Sequence, residues 1–162
     1  MKAIVYTSDT GFTKRYALML GEKTKLPVYS LRDCSVLKKG ESVIYMGWLK
    51  ANTVVGYKKA AKRFNIKAVC GVGLCPTGEL LKEVRSANRL GESLPLFTLQ
   101  GGLMHDKLKG INKFMINMLI KILSSKKDAT DEDKAQLQLI IKGGDYVKEE
   151  NLQAVTDFIK AH

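Results

Sequence analysis

Short, unbroken apolar runs alternate along this chain with segments whose apolar residues return every three or four positions. The runs are Ala3-Ile4-Val5-Tyr6, Leu26 to Leu31, Ser42 to Met46, Lys67 to Val72 and Pro95 to Gln100. Runs of this kind, stopped by Gly, Ser or Asp, predict strands buried on both faces. Pro27 cannot donate to a ladder, so the second strand is expected at a sheet edge or to begin there. Helical spacing predicts a helix over Thr13 to Lys23, with Tyr16, Ala17, Met19 and Leu20 inward. It predicts a second through Val54, Val55, Tyr57, Ala60, Ala61 and Phe64. A third covers Thr77 to Asn88, capped by Thr77, with Leu80, Leu81 and Val84 inward. Ile111 to Leu123 predicts a strongly apolar helix, and Ser124 to Asp133 a polar loop. Asn151 to Lys160 predicts a terminal helix burying Leu152, Val155, Phe158 and Ile159. Residues 134 to 147 fit either a helix ending at Gly143-Gly144 or an extra strand.

Strands that alternate with helices imply a parallel sheet covered on both faces by right-handed crossovers. The expected fold is therefore α/β, doubly wound and five-stranded, in a single domain over residues 1–162. Ligands of such sheets bind beyond the carboxyl ends of the strands, where strand order reverses. At that end of strand one lies Ser8-Asp9-Thr10-Gly11-Phe12-Thr13. Hydroxyls at Ser8, Thr10 and Thr13 can donate to phosphate oxygens, and Gly11 allows a tight turn. The following helix adds unpaired N–H groups and the positive end of its dipole. The loop has neither the Gly-Lys-Ser/Thr ending of a triphosphate loop nor the three spaced glycines of a dinucleotide site. It suits a single terminal phosphate. The plainer alternative is a polar turn that caps a helix through Ser8 or Thr10.

Composition narrows the classes. The 162 residues suffice for a core that folds alone. No apolar run reaches the ~20 residues needed to span a bilayer. Met1 leads directly into a strand, so no signal peptide is expected and the protein is read as soluble and cytoplasmic. Cys34, Cys70 and Cys75 are too few and too irregular for a disulfide framework. His105 and His162, without a Cys-x-x-Cys pair, argue against zinc and leave no expected metal. Lys and Arg number 27 against 16 Asp and Glu, a formal net charge of +11. Such a surplus attracts anionic partners or simply solvates the surface. No aromatic–basic interleaving or reader helix supports nucleic acid.

Strand one with Ser8-Asp9-Thr10-Gly11-Phe12-Thr13 resembles the phosphate loop of flavodoxins, which bind FMN, and the order of elements matches over almost the whole chain. The resemblance implies a sheet of order 2-1-3-4-5 and non-covalent FMN. It also implies that the loops after strands three and four flank the isoalloxazine ring. Here these are Gly47-Trp48-Leu49-Lys50-Ala51-Asn52 and Gly73-Leu74-Cys75-Pro76. Trp48 is then expected to stack on the ring, and the Gly47–Trp48 peptide, freed by glycine, to sit near flavin N5. Beside the phosphate, Asp9 is expected to turn outward or to accept ribityl or backbone hydrogen bonds, while Lys14 and Arg15 add favourable potential.

A basic chain differs from the acidic electron-carrying flavodoxins. In that respect it is similar to the flavodoxin-like, quinone-dependent protoporphyrinogen dehydrogenases. Gly101-Gly102-Leu103 and Asn112 to Lys121 look like that family's segment after the last strand. The function implied is an FMN-dependent oxidoreductase or electron carrier, served by a redox partner protein or by a quinone or other small-molecule substrate. The first alternative is a dehydrogenase of that kind at a membrane surface. The second is a regulatory module of the same fold without flavin, which Asp9 alone poorly supports because a receiver needs an acidic cluster. The basic surplus is expected to favour anionic reduced flavin.

Three further residue sets have two readings each. Cys75 is a small residue in a flavin loop before it is a redox thiol. His105 is a surface histidine before it is a proton donor. The helix from Ile111 carries one stripe of Ile111, Met115, Met118 and Ile122, and another of Phe114, Ile116, Ile120 and Leu123, with Leu119 between. Lys107, Lys109, Lys113, Lys121, Lys126 and Lys127 flank it. Sheet cover with snorkelling lysines is the first reading; peripheral contact with an anionic membrane is the second.

Overall fold

The apolar runs form a parallel sheet of β1 (Ala3–Thr7), β2 (Val28–Ser30), β3 (Ser42–Lys50), β5 (Asn65–Gly73) and β6 (Leu96–Gln100). The order across the sheet is β2-β1-β3-β5-β6, the 2-1-3-4-5 arrangement of the flavodoxin-like fold. A two-residue strand β4 (Thr53–Val54) pairs antiparallel with the end of β3. This computed structural model describes the backbone of residues 1–162 and all side chains except those of Lys107 and Glu132.

Side chains alternate across each strand, so the sheet separates two cores. One holds Val5, Val43, Tyr45 and Val69 against Ala60 of helix α2 (Tyr57–Arg63) and Val84 of α3 (Leu81–Asn88). The other holds Ile4, Ile44, Met46 and Cys70 against Tyr16, Ala17 and Leu20 of α1 (Phe12–Thr24). Val155 of α6 (Gln153–Ala161) closes that side. β2 is an edge strand, and the Pro27 carbonyl just before it accepts from Ile4 N–H at 2.9 Å.

Between β6 and α6 the chain makes a long excursion. Strand β7 (Gly102–Leu103) leads out and β8 (Gly144–Asp145) returns, paired antiparallel. Helices α4 (Gly110–Ser125) and α5 (Asp131–Lys142) form a hairpin between them. Both options for residues 134 to 147 are thus realised: a helix that ends at the glycines, then a short strand. The expected loop over 124–133 shrinks, because Thr130 and Asp133 close a capping box at the start of α5.

Three expectations are corrected. β3 does not stop at Gly47: Trp48, Leu49 and Lys50 continue it, and the turn falls at Ala51-Asn52, both with positive φ. That pair with left-handed backbone suits a tight hairpin. Helix α3 begins at Leu81, not Thr77, because Gly78 (φ 88°) and Leu80 (φ 59°) are left-handed. Thr77 instead accepts from Gln100 N–H at 3.0 Å, and Leu81 faces solvent. Finally, α4 buries no residue and packs on α5 rather than covering the sheet.

Candidate functional site

The carboxyl ends of β1, β3, β5 and β6 lie on one edge of the sheet, where Thr7 stands beside Gly47, Gly47 beside Gly71, and Gly73 beside Gln100. A cavity of about 480 Å³ opens beyond that edge. Ser8, Asp9, Thr10, Phe12 and Thr13 line it from the first loop; Trp48, Leu49 and Lys50 line it from β3; Gly73, Leu74 and Cys75 line it from the end of β5. Sequence positions far apart therefore meet at the expected topological switch point.

The first loop is built as a cradle. Gly11 is left-handed (φ 102°), and its N–H donates to Ser8 Oγ at 3.2 Å, which closes the turn. No side chain caps α1, so its first N–H groups remain available to a ligand. Thr13 borders the cavity, and its Oγ1 is buried with no hydrogen-bond partner among the described residues. Burying a hydroxyl without a partner costs about 1–3 kcal/mol, and a phosphate oxygen would satisfy it. These features fit a monoanionic or dianionic terminal group better than a self-contained cap.

The Phe12 ring packs on Gly102, where a Cβ would lie 2.8 Å from its Cζ. Asp9 Oδ2 accepts from Asn112 Nδ2 of α4 at 2.7 Å, and both residues line the cavity. Arg15 is ion-paired with Asp145 of β8, so its charge is shared with the excursion. Gly11 itself borders a second, polar hollow with Lys14, Ser30 and Arg32.

Trp48 lines the cavity from a strand, side by side with Val72, and makes no ring contact with another described aromatic. Leu49 lies across β5, within 3.0 Å of where Cβ atoms on Gly71 and Gly73 would stand. Gly47 does not line the cavity, and the idea that it frees a peptide is corrected. Its peptide is held between two ladders, and a Cβ there would lie 2.6 Å from the Val55 carbonyl. Glycine is present for close approach of the returning chain.

Sequence reasoning missed Tyr45. Its hydroxyl bonds Thr7 Oγ1 at 2.8 Å and the Val55 carbonyl at 2.7 Å, tying the start of the first loop to the hairpin after Trp48. Burial pushes this phenol up to about 12, against a smaller opposing effect of the Thr7 bond. Also missed was the cavity's outer wall: Met115, Ile116 and Leu119 of α4 and Ile140 of α5. The available signal was length, since the chain from Gln100 to Gln153 far exceeds an ordinary crossover.

Burial and nearby Glu79 both raise the Cys75 thiol, so it is a poor nucleophile. Cys70 is core, pushed up to about 12 by burial. His105 Nε2 lies 2.8 Å from the Ile140 carbonyl and 3.2 Å from that of Ile141, at the end of α5 rather than in the cavity. Of the charged residues lining the cavity, Lys50 is basic and Asp9 and Glu79 are acidic. Lys14 and Arg32 line the adjoining hollow, which shares Ser8 and Asp9 with the cavity.

Comparison with protein-family models, with curated proteins and with solved structures returned no match. Residue geometry carries the reading. Ser8, Thr10, Thr13 and the α1 amides can hold a phosphate; Trp48 and Leu74 can bracket a flat ring; an apolar wall from α4 closes the far side.

Proposed function

We propose that this chain binds FMN non-covalently and works as an FMN-dependent oxidoreductase or electron carrier. The observation that carries the reading is the uncapped start of α1, where Thr13, with a buried and unpartnered Oγ1, borders the same cavity as Trp48. Flavin, when bound, supplies one- and two-electron chemistry. The chain's part is to bind and orient. Ser8, Thr10, Thr13 and the amides after Gly11 hold the phosphate. Trp48 covers one ring face. Leu74 and Cys75 offer a thinner, aliphatic and sulfur-bearing wall to the other. Met115, Ile116 and Leu119 exclude water from the ring end.

That apolar cover favours an enzyme working on an apolar small molecule, such as the dehydrogenase resemblance implies, over a carrier that presents an open ring edge to protein partners. Turnover of protoporphyrinogen with a quinone tests this second reading; reduction of a protein acceptor without such turnover supports the carrier.

FMN addition to the purified chain should quench Trp48 fluorescence and produce a bound flavin spectrum. Thr13→Val keeps the shape and removes the hydroxyl. It should weaken FMN by at least about tenfold, the equivalent of roughly 1.4 kcal/mol. Riboflavin, without the phosphate, should bind both forms alike. Absence of FMN uptake by the wild-type chain would remove the redox assignment.

A further inference from the structure

Helix α4 is roughly 24 Å long at 1.5 Å per residue. Its inner side closes the cavity. Along the helix Ile111, Phe114, Met118 and Ile122 are exposed, with relative exposures of 69%, 65%, 48% and 57%. Their spacing, three then four then four, sets them in one stripe along the helix. Half of the large apolar side chains exposed among the described residues lie here. A stripe of this size on an otherwise soluble fold marks a contact surface.

Charge decides what covers it. α4 has Lys113 and Lys121 and no acidic residue. Lys109 precedes it and Lys127 follows it, and none of these four is in an ion pair with a described residue. Lys126 is engaged by Asp133, and the Lys107 side chain lies outside the described residues. A second copy of the chain would bring the same unpaired lysines and another +11 against the stripe. An anionic lipid surface accepts both features: the apolar face enters the acyl boundary and the lysines reach the headgroups. Among the described residues no helix is long and apolar enough to cross a membrane, so the helix would lie in the interface.

We infer that α4 is an interfacial helix that seats this protein on anionic lipid through Ile111, Phe114, Met118 and Ile122. Met118 and Ile122 both line the cavity and stand exposed. The seated protein therefore turns its cavity mouth toward the acyl boundary. This goes beyond the flavin reading and does not rest on it.

Sedimentation of the full chain with vesicles tests it, with and without FMN. Vesicles of mixed phosphatidylglycerol and phosphatidylcholine should bind at least about tenfold better than pure phosphatidylcholine, and added salt should weaken the binding. I111S/F114S removes two exposed apolar groups that do not line the cavity, and K113Q/K121Q removes two charges. Each should lower partition by about tenfold or more while circular dichroism stays unchanged. The inference is overturned if both vesicle types bind equally, or if both variants bind as the wild type does. A dimer in solution that I111S/F114S dissolves would also overturn it, in favour of a second copy covering the stripe. FMN uptake is read separately by absorbance, so failure of either idea leaves the other standing.

Discussion

The central sheet and the α4–α5 hairpin are opposite solutions to the same requirement. In β3, five consecutive residues from Val43 to Gly47 are buried, and their neighbours come from distant parts of the chain. In α4, which carries nine large apolar residues in sixteen, no residue is buried. Apolar content therefore does not by itself fix burial. A strand between two ladders satisfies its backbone only inside the sheet, so its side chains are covered on both faces. A helix satisfies its own backbone anywhere, and its apolar face stays available to a ligand or surface outside the fold.

The largest test of this contrast is truncation. Ile44→Ala, in the middle of the sheet, should cost about 2–5 kcal/mol and lower the Tm of the whole chain. Ile111→Ala should change stability by less than about 0.5 kcal/mol. Equal effects in thermal unfolding would erase the distinction.

Glycine substitutions come next. At Gly47 a new Cβ would press on the Val55 carbonyl and on Val54 Cγ1 at 2.7 Å, so Gly47→Ala should cost about 1–3 kcal/mol. At Gly102 a Cβ would lie 2.2 Å from the Gly144 carbonyl, which breaks the clamp between β7 and β8. Gly102→Ala should therefore speed hydrogen exchange in α4 and α5 while leaving β1, β3 and β5 protected. A uniform rise in exchange would show that the hairpin and the sheet open together.

Acid and base should act on opposite regions. Tyr45 and Cys70 have raised values in the folded state, from 10.0 and 9.0 to about 12 each, so they bind protons more tightly folded than unfolded. Their contribution is whole below pH 9 and falls away between pH 9 and 12, by up to about 1.4 kcal/mol per pH unit for each. Tyr45→Phe should flatten the upper part of that fall. Asp133 is held below 3.8, first by the Lys126 hydrogen bond and then by the Thr130 backbone. Its contribution is present above pH 3.8 and is lost as pH falls through its folded value. Acid should therefore fray the start of α5 before it disturbs the sheet. Urea unfolding across pH, with exchange by region, checks both signs.

The smallest expected effect lies where the two regions meet. Asn112→Ala releases Asp9 from the hairpin. An exposed hydrogen bond is worth about 1 kcal/mol or less, so FMN should dissociate only a few-fold faster. An unchanged rate in stopped-flow displacement would mean that this link does not hold the cover over the first loop.

Much of the site was legible. Ser8 to Thr13 reads as a cradle because its chemistry is local: hydroxyls, a turn glycine and a helix start. That Trp48 and Cys75 border one cavity followed from strand order, although Trp48 reaches it from within β3 rather than from a loop. The extension of β3 was not legible, because it depends on β5 alongside and on Val54 returning to pair with Leu49. The capping box at Thr130 and Asp133 was written in the chain, but a polar run hid it. Tyr45 looked like one more apolar strand residue, since nothing local shows that its hydroxyl meets Thr7 and Val55.

The sequence by itself determined the layers, the parallel strands and the loop at the carboxyl edge of the sheet. Each follows from short-range patterning, because a buried strand needs a continuous apolar run and a covering helix needs an apolar stripe. Only the tertiary structure decided that α4 walls the cavity and leaves Ile111, Phe114, Met118 and Ile122 exposed, with Met118 and Ile122 at the cavity's border. An amphipathic pattern shows that a face requires a partner, while the identity of that partner is set by where the rest of the chain has already packed.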